Sequence, residues 1–416
     1  MAPGDLIDYD VEKGHWRDAM HAIKLLHKWL ADALPEMHRK RMDVLFAGVE
    51  GLLLGRNLWL SDVGRHVSGR VDERHKIKRI DRLLGNHHLH GQRRAVYGWL
   101  TRLLVGSCRH PCIIVDWSNV DRAKTLFILR AAVSVGGRAL PLYEEVHPRY
   151  HHVHDTRAFL AHLAEILPDG CTPIVVTDAG FRRPWFEAIE ARGWYYVGRV
   201  RNRDHARFPD SEHWFPAKTL YARASARAQT LGAMWLPRSE PFLTRAYLYR
   251  KAPTGRTRRT CDGRRRVGHG SRKHACRERE PWLLLSNLPP ARHCAKRVVA
   301  IYRDRMSIEE AFRDLKAYRH GFAFRSNRGR DPQRVANLLL IAALALLALW
   351  LIGLAGIKRG LDRNLQANTE RRRRVLSVLF IGKRLFYRRL RLRQHELIDA
   401  LDSMRNVINA PALESP

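Results

Sequence analysis

The chain has 416 residues, in which 75 Lys and Arg stand against 41 Asp and Glu, giving a formal charge of +34 at pH 7. A balance this basic favours a polyanionic partner through counterion release, while 45% hydrophobic content excludes a mere basic tail and supplies cores for two or three domains. The six cysteines show no paired zinc-knuckle spacing, and reduced thiols are the default.

In chain order, the first thirty residues are repeatedly charged and show no signal-peptide pattern. An apolar helix is expected around Met42 to Leu54, then a short helix from Ser61-Asp62, a turn at Ser68-Gly69 and a helix from about Asp72 to Leu84. In this last helix Ile77, Ile80 and Leu84 form an apolar seam, and Lys76, Lys78, Arg79 and Arg82 decorate the rest. The order is helix-turn-helix-like and offers its third helix to DNA. A basic amphipathic helix packed on its own domain would read the same way. His87, His88 and His90 are expected on a polar loop, as are His151, His152 and His154.

Two apolar runs that read as buried strands end in carboxylates. Cys112-Ile113-Ile114-Val115 leads into Asp116-Trp117-Ser118, and Pro173-Ile174-Val175-Val176-Thr177 leads into Asp178-Ala179-Gly180-Phe181. An acid at the tip of a core strand is costly to bury unpaired, so it meets a cation or a metal, or it caps the following turn. Between and after them the pattern gives strands at 126–135 and 138–143, a helix from Asp155 to Leu167, a helix with Pro184 in its first turn, and a strand from Trp194 to Val200. Three strands, helix, strand, helix, strand fits a mixed sheet flanked by helices. In that arrangement, known from ribonuclease H, the first and fourth strands are neighbours, so Asp116 and Asp178 converge.

From Val200 to Pro281 the core order is interrupted by alternating stretches such as Phe242 to Tyr249, which read as antiparallel strands, and by the Arg-rich run Arg250 to Lys273, a solvated loop or a phosphate-tracking arm. Cys261, His269, His274 and Cys276 fall there at spacings too irregular for a zinc site.

Further on, Tyr302, Arg305, Glu309 and Lys316 lie at offsets of 0, 3, 7 and 14, which on one helix fall in a stripe about 60° wide. Ile301, Ile308, Phe312 and Leu315 form an apolar stripe beside it. Glu309 lies inside the polar stripe, while Glu310 points toward water. An ordinary solvated helix has such charges too, but three carboxylates, Asp116, Asp178 and Glu309, suit two bridged divalent metals that activate an attacking oxygen and stabilise a leaving one in phosphodiester displacement. All-oxygen ligands point to Mg²⁺, with Mn²⁺ as a substitute.

Residues 335–357 form an almost uncharged run long enough to span a bilayer. A helix buried on all sides has the same composition, and the expectation is such a helix packed under the sheet, with no membrane partner. The tail, from Arg371 through Lys383 to Arg393, reads as basic amphipathic helix that docks on DNA or a second subunit, or simply presents a solvated basic face.

The motifs Asp116-Trp117-Ser118, Val176 to Phe181 and Tyr302/Arg305/Glu309/Lys316, with Lys76 to Asn86 and Gln366-Ala367-Asn368-Thr369, resemble the DDE transposases of the insertion-sequence-four family, especially its insertion-sequence-ten group. The likeness runs over roughly residues 36–405. It implies a cytoplasmic, nucleoid-associated bacterial enzyme that cuts and pastes double-stranded DNA through hairpin intermediates, acting as a homodimer in a synaptic complex. It makes Asp116, Asp178 and Glu309 the catalytic, metal-binding triad, and Tyr302, Arg305 and Lys316 the grip on transposon-end phosphates. Some relatives place a DNA-stacking tryptophan after the signature arginine, where this chain has Met306. The expected fold is α/β: a helical N-terminal end-binding domain over 1–105, a ribonuclease H-like core over 106–203 and 281–360, a β-rich insertion with a basic loop over 204–280, and a basic helical region over 361–416.

Overall fold

The computed structural model describes residues 21–121, 123–201, 204–252, 268, 280–318, 321–370 and 372–410. The chain forms two compact units: one combines the chain up to Trp99 with Asp314–Arg405, and the other combines Leu100–Arg313 with the chain from Asn406. Residues Cys261, His269, His274 and Cys276, with most of the basic run after Lys251, lie outside the described residues.

The first unit opens with α1 (His21–Ala33), α2 (Arg39–Gly55), α3 (Leu60–Arg65) and α4 (Glu73–Leu84). The last three coincide with the expected apolar helix, short helix and basic helix. On α4 the seam is Ile80, Leu83 and Leu84, all buried, while Lys78, Arg79 and Arg82 are exposed and Lys76 is half-buried. His87, His88 and His90 open α5 (His87–Val105) and are not on a loop. The reason is Asn86, whose side-chain oxygen accepts from Leu89 N at 2.9 Å and so satisfies a free donor of the first turn.

The second unit is built on one eight-stranded sheet. Its strands are β1 (Cys112–Asn119), β2 (Phe127–Val135), β3 (Arg138–His147), β4 (Ile174–Thr177), β5 (Tyr195–Val200), β8 (Gln229–Leu236), β9 (Phe242–Tyr249) and β10 (Trp282–Ser286), while β6 (His205–Ala206) and β7 (Phe215–Pro216) form a separate pair. Helices α6 (Val153–Ile166) and α7 (Arg183–Glu190) connect β3 to β4 and β4 to β5. Strand order is β3-β2-β1-β4-β5-β10-β9-β8. β1 runs antiparallel to β2 and parallel to β4, and β4 runs parallel to β5, which is the mixed arrangement expected. β8 and β9 join the same sheet through β10, which pairs antiparallel with β5, so the insertion extends the core sheet. α8 (Cys294–Asp304) and α9 (Ser307–Lys316) follow β10.

The first unit resumes with α10 (Pro332–Lys358), α11 (Val378–Tyr387) and the greater part of α12 (Gln394–Asn409). Pro332 in the first turn and the Asp331 side chain, which accepts from Arg334 N at 2.7 Å, start α10 cleanly. Among the described residues α10 is the one helix long and apolar enough to cross a membrane, and 94% of its most apolar window is buried. It was expected under the sheet. Instead it belongs to the helical unit, where it packs on α1, α2, α4 and α11, so the expected core segment 281–360 divides between the two units. An all-round apolar helix satisfies any core, and here the N-terminal helices supply it. Its one buried polar side chain, Asn337, donates to Leu84 O at 2.9 Å and accepts from Arg93 Nη1 at 3.0 Å, which ties α10 to the end of α4. α11 approaches α10 through Gly382, where a Cβ would lie 2.0 Å from Leu349 O.

Candidate active site

β-branched residues carry β1 and β4 through the middle of the sheet, and the parallel register pairs Val115 with Thr177. Each strand's next residue is an aspartate, so Asp116 and Asp178 come out side by side. The two expected readings divide between them: Asp116, inside β1, which runs on to Asn119, meets a cation, and Asp178 accepts from the turn after β4. Asp116 Oδ1 accepts from Trp117 N and Asp178 Oδ1 from Gly180 N, each at 2.8 Å, which leaves the second oxygen of each for other work. The turn after Asp178 is tight: a Cβ on Gly180 would sit 2.8 Å from His151 Nε2.

Arg305 completes the group. Its Nη1 donates to Asp116 Oδ2 at 3.2 Å and its Nη2 to Glu309 Oε1 at 2.7 Å, with the guanidinium side chain only 8% exposed. One cation thus joins the strand carboxylate to the helix carboxylate. Burial pushes the Asp116 carboxyl up to about 7; Arg305 opposes the rise, and the charges of Asp178 and Glu309 add to it. For Arg305 burial works against the charge, but Tyr302, Asp116, Glu309 and Asp178 outweigh it and raise its pKa. The group holds an excess of negative charge about a single guanidinium.

The four signature residues do not share one continuous helix. Tyr302 lies in the last turn of α8, Arg305 caps it, and Glu309 and Lys316 belong to α9; the link is made by i to i+3 bonds such as Arg305 N to Tyr302 O and Glu309 N to Met306 O, both 3.2 Å. No Gly or Pro causes this break, which coincides with the Arg305 side chain turning to Asp116. Tyr302, expected to grip phosphate, is 4% exposed because Trp282 of β10 covers it, ring centroids 4.9 Å apart. It lies beneath the Arg305 guanidinium, 5.8 Å from ring centre to Cζ. Glu309 is 45% exposed, whereas Glu310 does not point to open water: Arg138 at 3.4 Å and Arg313 at 2.7 Å hold it half-buried. Met306, where some relatives have tryptophan, is 43% exposed and its Sδ accepts from Arg305 Nη2 at 3.3 Å. Lys316 closes α9, seven residues beyond Glu309.

Two groups escaped the sequence reading. Arg199 on β5, 8% exposed, reaches the Tyr302 hydroxyl and donates to Pro281 O at 3.2 Å. Tyr150 and His151, from the loop after β3, pack on Trp117 with centroids 5.6 and 5.5 Å away, and burial with the charges of Asp178 and Asp116 pushes the Tyr150 hydroxyl up to about 12. A charged residue within an apolar strand, and an aromatic beside histidines just past a strand, were the signals available.

A family model described as a transposase DDE domain matches residues 107–348. The chain belongs to the DDE transposase family. Curated proteins yield no match to it. Members of this transposase family cleave DNA with divalent metal ions, and the matched region takes in Asp116, Asp178 and Glu309. The residues fit such ions: every donor is a carboxylate oxygen, and Asp116 is buried next to like charge, where an added cation relieves its ionisation cost. Among the described residues no three His, Cys, Asp or Glu side chains are arranged to hold an ion as they stand, since Arg305 lies between Asp116 and Glu309.

The transposase has a basic feature in its helical unit. A cleft of about 430 Å³ is lined by Lys40 and Arg41 of α2 and by Lys78, Arg79 and Arg82 of α4. Arg41 is held there by a 2.7 Å bond to Gln92 Oε1. Lys76 lies on the same helix, outside this lining.

Proposed function

We propose that this transposase is a cut-and-paste enzyme of the insertion-sequence-four type, insertion-sequence-ten group, which binds the terminal repeats of its own element, cleaves them through a hairpin and joins the 3′ ends to target DNA. The observation that carries the reading is the meeting of Asp116 and Asp178 on adjacent parallel strands, with Glu309 linked to Asp116 through Arg305. Asp116, Asp178 and Glu309 would hold Mg²⁺ or Mn²⁺, which when bound supplies charge stabilisation for both the attacking and the leaving oxygen. In the protein itself, Arg305 holds Glu309 close to Asp116 and stays charged, so an incoming phosphate meets a cation already in place. Tyr302, held at its hydroxyl by Arg199, packs behind Arg305 and limits where its guanidinium can go. No side-chain nucleophile is invoked, and water and then the freed 3′ hydroxyl attack in turn.

The exposed Lys78, Arg79 and Arg82, with Lys76, are the proposed end-binding face, and Lys316 and the basic tail residues Lys383, Arg384, Arg388, Arg389, Arg391 and Arg393 extend the contact to DNA or to a second subunit. In the domain reading, end binding lies over 1–105, the insertion over 204–280 and further contacts over 361–416, while the chemistry lies over 106–203 and the part of 281–360 that ends at Arg313, the rest of that segment belonging to the helical unit. A homodimer on two ends and a cytoplasmic, nucleoid-associated location belong to the same proposal.

The test is cleavage of linear DNA carrying the repeat that flanks the gene, with Mg²⁺ present or chelated, comparing the natural protein with Glu309→Gln on denaturing gels. Metal-dependent nicks and hairpins at the repeat boundary, lost in the variant, support the proposal. Binding without cleavage identifies a catalytically inactive descendant, and cutting indifferent to the repeat identifies an endonuclease without end specificity.

A further inference from the structure

A row of charges crosses the sheet beside the site. Asp116 on β1 pairs across the strand with Arg130 on β2, and Arg130 pairs with Glu144 on β3, so the three side chains share one face. Arg130 and Glu144 are each 1% exposed, with Arg130 Nε to Glu144 Oε1 at 2.8 Å and Nη2 to the same oxygen at 2.6 Å. Above the guanidinium lies the Phe312 ring, whose centroid is 4.4 Å from Cζ. Phe312 is on α9, three residues after Glu309 and thus on its side of the helix. The helix that bears the third carboxylate therefore rests on the strand position next to Asp116.

Burial of this pair is not explained by stability. Two charges removed from water lose several kcal/mol of hydration each, in order of magnitude, and a well-packed apolar pair of similar volume is often as stable or more so. What the pair supplies is placement. Glu144 fixes the guanidinium plane by two bonds, and the plane presents a flat cationic face to one aromatic ring, a contact with a preferred distance and direction that aliphatic packing lacks. Arg305 reaches from the helix segment down to Asp116, and Arg130 reaches from the sheet up to α9, so two arginines set the same spacing from opposite sides.

We propose that Arg130, held by Glu144, is a positioning residue that sets Glu309 at its working distance from Asp116 by seating Phe312. The proposal rests on the assignment of Asp116, Asp178 and Glu309 as the metal-binding triad. It does not involve contact of Arg130 with DNA or metal. The guanidinium acts through α9 alone.

The experiment uses the full chain and the double variant R130M/E144L, with Phe312→Leu as an independent change from the helix side. Three quantities are read: the thermal midpoint without metal, Mn²⁺ affinity from the free-ion signal in electron paramagnetic resonance, and kcat and KM for cleavage of repeat DNA. The expected result for R130M/E144L is an unchanged or higher midpoint, Mn²⁺ affinity at least tenfold weaker, and kcat at least tenfold lower with KM for DNA within about twofold. Phe312→Leu should move Mn²⁺ affinity the same way, and the exchanged pair R130E/E144R, which keeps an ion pair but removes the guanidinium from under the ring, should not restore it. A folded R130M/E144L or Phe312→Leu protein with natural Mn²⁺ affinity and kcat overturns the proposal, as does rescue by the exchanged pair. If R130M/E144L fails to fold, Phe312→Leu alone decides. Failure of the triad reading is separate: the natural protein would then bind no Mn²⁺ or lose none on Glu309→Gln.

Discussion

Replacing Asp116 by Asn should stabilise the metal-free protein while ending its chemistry. Burial lifts the carboxyl from 3.8 in the unfolded chain to about 7, so between those values the folded state holds more protons, and stability falls as pH rises through the window. Above it the full cost applies: a gap of about three pH units at about 1.4 kcal/mol each is roughly 4 kcal/mol. Asn has no charge to desolvate and still accepts from Trp117 N and Arg305, and the value of about 7 already includes what the ionised carboxylate gains from those partners. The gain is therefore about 4 kcal/mol at most, or about 8–16 °C in the melting of a unit this size. Calorimetry in a chelator at pH 8 should show the gain, and at pH 5.5, where the folded carboxyl is mostly protonated but the unfolded one is still ionised, it should fall to about 2 kcal/mol, vanishing only below about pH 4. An Asp116→Asn variant that melts at or below the natural protein at pH 8, or whose advantage does not change with pH, refutes the reasoning.

Mn²⁺ must displace the Asp116 proton, so its affinity, followed by titration, should fall about tenfold per pH unit below 7 and level off above it. Glu309→Gln should abolish strand cleavage with end binding intact, whereas Glu310→Gln, which loosens only ion pairs to Arg138 and Arg313, should keep cleavage within about threefold on the same gels. Combined Lys78→Ala, Arg79→Ala and Arg82→Ala should lower the slope of log affinity against log salt by about 2 to 3 in binding assays, without changing the melting midpoint. Gly382→Ala, which drives a Cβ against Leu349 O, should destabilise the helical unit by about 1–3 kcal/mol or more in thermal denaturation followed by circular dichroism.

The strands that carry Asp116 and lead into Asp178 were legible because β-branched runs and an adjoining acid are local signals, and the parallel pairing followed from element order, although β1 runs on past Asp116 to Asn119. The break between α8 and α9 was not, since no residue from Asp304 to Met306 is a breaker and the turn accompanies a contact with a strand far away in sequence. Periodicity put Tyr302 on the polar stripe but held no information that Trp282 would cover it. The same limit applies to Glu310, whose partner Arg138 comes from the β2–β3 hairpin. For α10, uniform apolarity predicted burial correctly and was silent about which core it would fill. Asn86 as the start of α5, and Arg130 and Arg199 as charges within apolar strands, were visible in the sequence and went unused.

The helical unit draws its parts from opposite ends of the chain. During synthesis α1 to α4 emerge from the ribosome long before α10, and until then α1, α2 and α4 lack the helix on which they pack. The sheet, whose strands are contiguous between, can form in the interval, domain by domain as chains usually do. A message cut short before α10 would therefore leave a chain with its acidic strands assembled but its basic helix without a platform, and only a completed translation product joins the two capacities in one molecule.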